Sequence, residues 1–112
     1  MIGISADQPS ATLVHDIRAI LRGVAPLLRL EADLSTLPLT VDDGFVGGGY
    51  GVPTDESREA IELVARTEAI FLDPTYTAKA MAGLIAAVRR GEFPDAQTVL
   101  FWHTGGQVGL FA

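Results

Sequence analysis

The stretch AIFLDPTYTAKAMAGLIAAVRR, residues 69–90, runs from an apolar segment through a turn into a helix. AIFLDPTY reads as a strand that ends in the turn Asp73-Pro74-Thr75-Tyr76. A helix is predicted from about Thr77 to Arg90, with Met81, Leu84, Ile85 and Val88 facing inward. Arg89 and Arg90 suit its negative end, and Gly91 suits the C′ position beyond it. Asp73, placed before Pro74, is expected to cap the turn rather than to ionise for catalysis. Strand, turn and helix in this order are the unit of an α/β fold.

The same alternation continues outward. MIGISA at the start reads as a short buried strand, and DQPSAT as a turn with helix-start residues. From Leu13, apolar residues at 13, 14, 17, 20, 21, 24, 27 and 28 have helical spacing. Ser10 or Thr12 is the expected cap, and Pro26 should kink or end this helix. LEADLSTLPLTVDD is mixed, with room for a short strand and a loop, and Asp42-Asp43 reads as a solvated turn rather than a metal site. GFVGGGYGVP, residues 44–53, is a glycine-dense loop that needs unusual backbone angles. Thr54 is the expected N-cap of another helix, with Asp55 and Glu56 in its first turn and Ala60, Ile61, Val64 and Ala65 on its buried face. TVLFWH, residues 98–103, reads as the last strand, with Trp102 in the core.

Strands alternating with helices predict an α/β layer with a parallel sheet. Ligands of such sheets sit beyond the carboxyl ends of the strands. Asp73-Pro74-Thr75-Tyr76 and Thr104-Gly105-Gly106 both lie at such ends, so two strand ends are expected to converge on one crevice.

The totals narrow the function. One domain, residues 1–112, fits the length. Hydrophobic residues make up 48% of the chain, ordinary for a globular protein. No stretch approaches the roughly 18 apolar residues of a membrane span, and the start lacks the features of a signal peptide. A cytoplasmic protein with no membrane partner is expected. The net charge is −6 and the only adjacent basic pair is Arg89-Arg90, which argues against nucleic acid as a partner. Without cysteine there is neither a disulfide framework nor thiolate chemistry.

Several chemistries lack their residues. No G-x-x-x-x-G-K-[ST] motif occurs, and GGGYG fails to complete G-x-G-x-x-G because Val52 stands where the third glycine belongs. The two histidines, His15 and His103, have no acidic or histidine neighbours at metal-ligand spacing, so no metal is expected. No G-x-S-x-G elbow is present. His103 reads as a packed strand-end residue rather than a base.

Specific strings carry the reading further. G-Y-G-x-P-T (residues 49–54), L-D-P-x-Y-x-x-K-A-M (residues 72–81) and H-T-G-G (residues 103–106) occur in order. V-D-D (residues 41–43) precedes the glycine loop. Together they resemble the C-terminal third of the pyridoxal-phosphate enzymes that include D-cysteine desulfhydrase and 1-aminocyclopropane-1-carboxylate (ACC) deaminase. The resemblance implies part of the three-layer, parallel-sheet large domain of the tryptophan synthase β-like fold, fold type II. It implies pyridoxal phosphate as cofactor and a small amino acid as substrate. Tyr76 matches an active-site tyrosine implicated in proton transfer or nucleophilic attack, and Tyr50 matches a tyrosine lining the site. Thr104 matches the residue that faces the pyridine nitrogen, with Gly105 letting the backbone pass near the ring. Thr77 occupies the other position that distinguishes the subfamilies at the cofactor.

The deaminases resemble D-P-x-Y-E and H-L-G-G, where this chain has Thr77 and Thr104. A hydroxyl facing the ring nitrogen gives a weaker electron sink than a carboxylate. That suffices for β-elimination, so the resemblance implies desulfhydrase-like chemistry, with ACC deaminase as the alternative and a non-catalytic remnant as a third reading. Family members are about three times this length and typically homodimers. Their Schiff-base lysine and phosphate loop correspond to positions upstream of Met1. Lys79 is the only lysine here and is read as structural or surface. Gly48 departs from the family, where glutamate or another residue is common. A chain starting on a central strand is expected to expose sheet edges and apolar surface.

Overall fold

A computed structural model describes residues 1–94 and 98–111. Two strands, β1 (Ile2–Ile4) and β2 (Thr40–Asp42), pair in parallel, with Ile2 opposite Thr40, Gly3 opposite Val41 and Ile4 opposite Asp42. A parallel pair needs a crossover, and helix α1 (Ser10–Leu27) with a 3-10 turn at Leu34–Thr36 supplies it. Helices α2 (Asp55–Glu68) and α3 (Thr77–Arg89) follow, then a 3-10 turn at Gln107–Phe111. The α/β class and the parallel pairing agree with the sequence.

Helix α1 begins at Ser10, one turn before Leu13, and neither Ser10 nor Thr12 caps it with a side chain. The cap comes from a distance: Asp43, at the end of β2, accepts a hydrogen bond from the Ser10 amide at 2.7 Å. That bond holds the Asp43 carboxyl below its usual pKa. Its neighbour Asp42 accepts from the Gly44 amide at 2.8 Å and turns the chain into the glycine loop. The acidic pair is thus a turn, as expected, with one member serving a helix 33 residues away in sequence. Pro26 lies in the last turn of α1, which ends one residue later. Of that helix only Ala25 is buried, while Ile20, Leu27 and Leu28 are exposed.

Thr54 caps α2 as the sequence predicts. Its hydroxyl accepts from the Ser57 amide, and the Ser57 hydroxyl accepts in turn from the Thr54 amide. This is a capping box with serine in place of the usual glutamate. Ala60 and Val64 of α2 meet Leu72, Ala78 and Ala82 to form the core. Small residues let the two helices approach closely, and Met81 and Ile85 pack against this alanine-rich core as expected. Met81, Leu84 and Ile85 are only half-buried, Ala65 likewise, and Val88 is 57% exposed, on the far side of α3. Gly83 admits β1: a methyl there would stand 2.6 Å from Ile4 Cδ1. Gly91, at φ 69°, takes the C′ position, with its amide on Val88 O and that of Glu92 on Ala87 O.

Two expected strands are not seen. Among the described residues neither Ala69–Leu72 nor Thr98–His103 joins a ladder. A strand exists only where a neighbour takes its backbone groups, and Ala69 is left-handed, at φ 56°, as the C-cap of α2. The expectation for Trp102 is corrected with them. It is 78% exposed, because no described element covers the face on which it lies.

Candidate active site

Asp73 organises the site. Its Oδ2 accepts from the amides of Thr75 (2.9 Å) and Tyr76 (2.7 Å), and its Oδ1 accepts from the amide (2.8 Å) and hydroxyl (2.6 Å) of Thr77. These amides are donors left over at the start of α3, where the helix dipole also favours negative charge. Burial pushes the Asp73 pKa up. The hydrogen bonds from Thr77, Tyr76 and Thr75 outweigh it and hold the carboxyl below its usual value. The sequence expectation of a capping aspartate holds, and the cap fixes Tyr76 at the helix mouth.

The Thr77 hydroxyl also accepts from the Asp73 amide at 2.8 Å, and the residue is 2% exposed, so it locks the geometry of the Asp73 cap.

Tyr50 reaches Tyr76 from the glycine loop. The two hydroxyls are hydrogen-bonded to each other, and the rings meet edge to face with centroids 5.8 Å apart. Both tyrosines are exposed on their outer sides. The hydrogen bond to Tyr50 raises the Tyr76 pKa above its ordinary value, helped by burial and by the negative charges of Tyr50, Asp73 and Asp7. Tyr76 therefore keeps its proton at neutral pH.

Lys79 holds the loop that carries Tyr50. It is fully buried, and its ammonium donates to the carbonyls of Val46 (2.8 Å), Gly49 (2.9 Å) and Ala6 (3.4 Å). Gly47 is needed beside it, with φ 64° and a would-be methyl 2.3 Å from Thr54 Cγ2.

The H-T-G-G segment docks on the same turn. His103 Nδ1 accepts from the Gly105 amide at 3.0 Å, which leaves Nε2 to carry the proton and donate to Phe71 O, also at 3.0 Å. Gly106 packs against the Asp73 carboxyl group. Gly105, like Gly106, has positive φ. The two segments read as strand ends meet, through His103 on Phe71 and Gly106 on Asp73, although among the described residues neither follows a strand. Thr104, between them, is exposed.

Sequence reasoning missed two working roles: His103 as the brace of its own loop and Lys79 as the clamp. Nothing local announces either.

The arrangement fits one wall of a pyridoxal-phosphate site. It offers two paired phenols, an exposed threonine hydroxyl and a loop whose glycines allow close approach. It offers no free amine from lysine, since the hydrogens of the single lysine are committed to carbonyls. Two surface depressions lie elsewhere, around Glu56, Glu59 and Arg89 and around Glu62 and Arg66.

The profile of the pyridoxal-phosphate dependent enzymes matches residues 1–105. The crystal structure of an ACC deaminase homologue superposes with a TM-score of 0.80 at 31% sequence identity, covering 96% of this chain. The chain spans 31% of the length of that protein. A match over nearly the whole sequence, with the tyrosine pair and the H-T-G-G segment gathered on one turn, gives the conclusion that the chain belongs to the pyridoxal-phosphate dependent enzyme family.

Proposed function

We propose that this chain forms the substrate-side wall of a lyase that carries out α,β-elimination on a small amino acid, in the manner of D-cysteine desulfhydrase. D-cysteine and water would give pyruvate, ammonia and hydrogen sulfide. Pyridoxal phosphate, when bound, supplies the electron sink that makes the bond changes at the substrate's α carbon accessible. The single observation that carries the reading is the Tyr50–Tyr76 pair, fixed beside the docked H-T-G-G segment.

Tyr76 holds a proton at Oη where it can be given to a departing sulfur. Tyr50 keeps that proton in place and orients the ring. Thr104 is free to donate its hydroxyl to the pyridine nitrogen, and Gly105 lets the backbone come close. The lysine that bonds the cofactor and the loop that holds its phosphate come from another part of the same enzyme, which works as a homodimer. The full commitment of Lys79 to carbonyl oxygens supports that division.

ACC deaminase is the second reading, favoured by the structural likeness to an ACC deaminase homologue. One assay separates the two. The intact enzyme containing this chain is offered D-cysteine and ACC, and pyruvate with sulfide is measured against 2-oxobutanoate. Turnover of ACC alone would replace the first reading. A Tyr76→Phe enzyme is expected to lose about 10²–10⁴-fold in kcat on the true substrate.

A further inference from the structure

Lys79 is a cation buried without a carboxylate partner among the described residues. Such burial is costly unless other dipoles replace the lost water. Three carbonyls do so, one for each ammonium hydrogen, from Val46, Gly49 and Ala6. Two of them bracket Gly47 and Gly48, and the second immediately precedes Tyr50. The glycine loop has no side chains at 47, 48 and 49 with which to pack, and Gly47, Gly49 and Gly51 all have positive φ. Its own backbone contributes two turns, Val46 N on Asp43 O and Val52 N on Gly49 O. An unclamped loop of this composition would leave Tyr50 free to wander. Lys79 stands three residues after Tyr76 on α3, so one helix carries both the tyrosine and the clamp on its partner.

We propose that Lys79 is a positioning residue: its ammonium, by holding the carbonyls of Val46 and Gly49, sets the Tyr50 hydroxyl against that of Tyr76. The geometric claim stands alone, and only the purpose of the pair rests on the functional reading above.

The sequence has two tyrosines, Tyr50 and Tyr76, so phenol titration by ultraviolet absorbance reads the pair directly. In the unaltered chain, Tyr76, hydrogen-bonded to Tyr50 and facing Asp73 and Asp7, is expected to titrate above an ordinary tyrosine. A Lys79→Met chain whose α2 and α3 amides remain protected from exchange is expected to bring the Tyr76 phenol back towards its ordinary value. A folded Lys79→Met chain in which Tyr76 still titrates as high as in the unaltered chain overturns the proposal while leaving the pair, and the functional reading, intact. A variant-free measurement covers the case in which Lys79→Met does not fold. The Lys79 ammonium should give its own nitrogen–proton NMR signal, slow to exchange with water. Exchange as fast as that of free lysine overturns the clamp. An unaltered chain in which Tyr76 titrates as an ordinary tyrosine counts against the pair and hence against the functional reading, and the ammonium signal still decides the clamp.

Discussion

Gly106 lies against Asp73 so closely that a methyl group on it would stand 2.7 Å from both Cγ and Oδ1 of the aspartate. The carboxylate that caps α3 therefore also forms the seat of the H-T-G-G segment. Gly106→Ala meets two penalties, the clash and a φ of 91°. Gly105→Ala, at φ 98° and with no atom within 4 Å of the added methyl, meets only the second. Strain of this kind costs about 1–3 kcal/mol, and the clash adds to it. Thermal unfolding should rank Gly106→Ala below Gly105→Ala. Equal losses would show that the segment does not rest on Asp73.

Asp73 should make stability acid-sensitive. Its usual pKa is 3.8, and in the folded chain it is lower because the hydrogen bonds of the cap outweigh the effect of burial. A lowered carboxyl stabilises the fold above the unfolded value and loses that contribution as pH falls through the folded value. The cap should therefore contribute in full at neutral pH and fade below about pH 4. Asp73→Asn is expected to cost about 1–2 kcal/mol at neutral pH, with the two chains converging in acid. Denaturant unfolding across that range checks it, and parallel curves would refute it.

Tyr50→Phe removes the partner that comes first among the causes of the raised Tyr76 pKa. The remaining phenol should titrate closer to its ordinary value. A raised phenol stabilises the fold below the unfolded value and loses that contribution as pH climbs through the folded one. The variant should thus differ from the parent in neutral solution and approach it in alkali. Absorbance titration and unfolding at alkaline pH measure both effects.

What was legible in the sequence had local causes. Thr54 announces α2, Gly91 ends α3, and the D-P-T-Y turn fixes where α3 starts. The family motifs named Tyr50 and Tyr76, which the fold brings together across 26 residues. What was not legible depends on partners distant in sequence. Asp43 caps α1 because β2 ends beside it, and no spacing near Ser10 shows that. The runs at 69–72 and 98–103 have strand composition, but a ladder requires a neighbour, and none of the described residues supplies one. Trp102 was assigned to the core on composition, whereas burial requires an opposing surface.

His103 gives the last test, because it joins the two chain ends with one ring. Nε2 donates to Phe71 O and Nδ1 accepts from the Gly105 amide, so a single tautomer serves both ends. Phenylalanine keeps the ring's bulk and its edge-to-face contact with Phe101, whose centroid lies 6.3 Å away, but offers neither bond. His103→Phe is expected to lose about 1–3 kcal/mol, and the Gly105 amide should exchange with solvent faster. The exchange rate is the more telling reading, since a general loss of packing would speed α2 and α3 amides as well. Faster exchange confined to residues 104–106 would show that His103 braces the loop on which Thr104 is carried. Unchanged exchange at Gly105 would mean that Gly106, seated on Asp73, holds the loop without it.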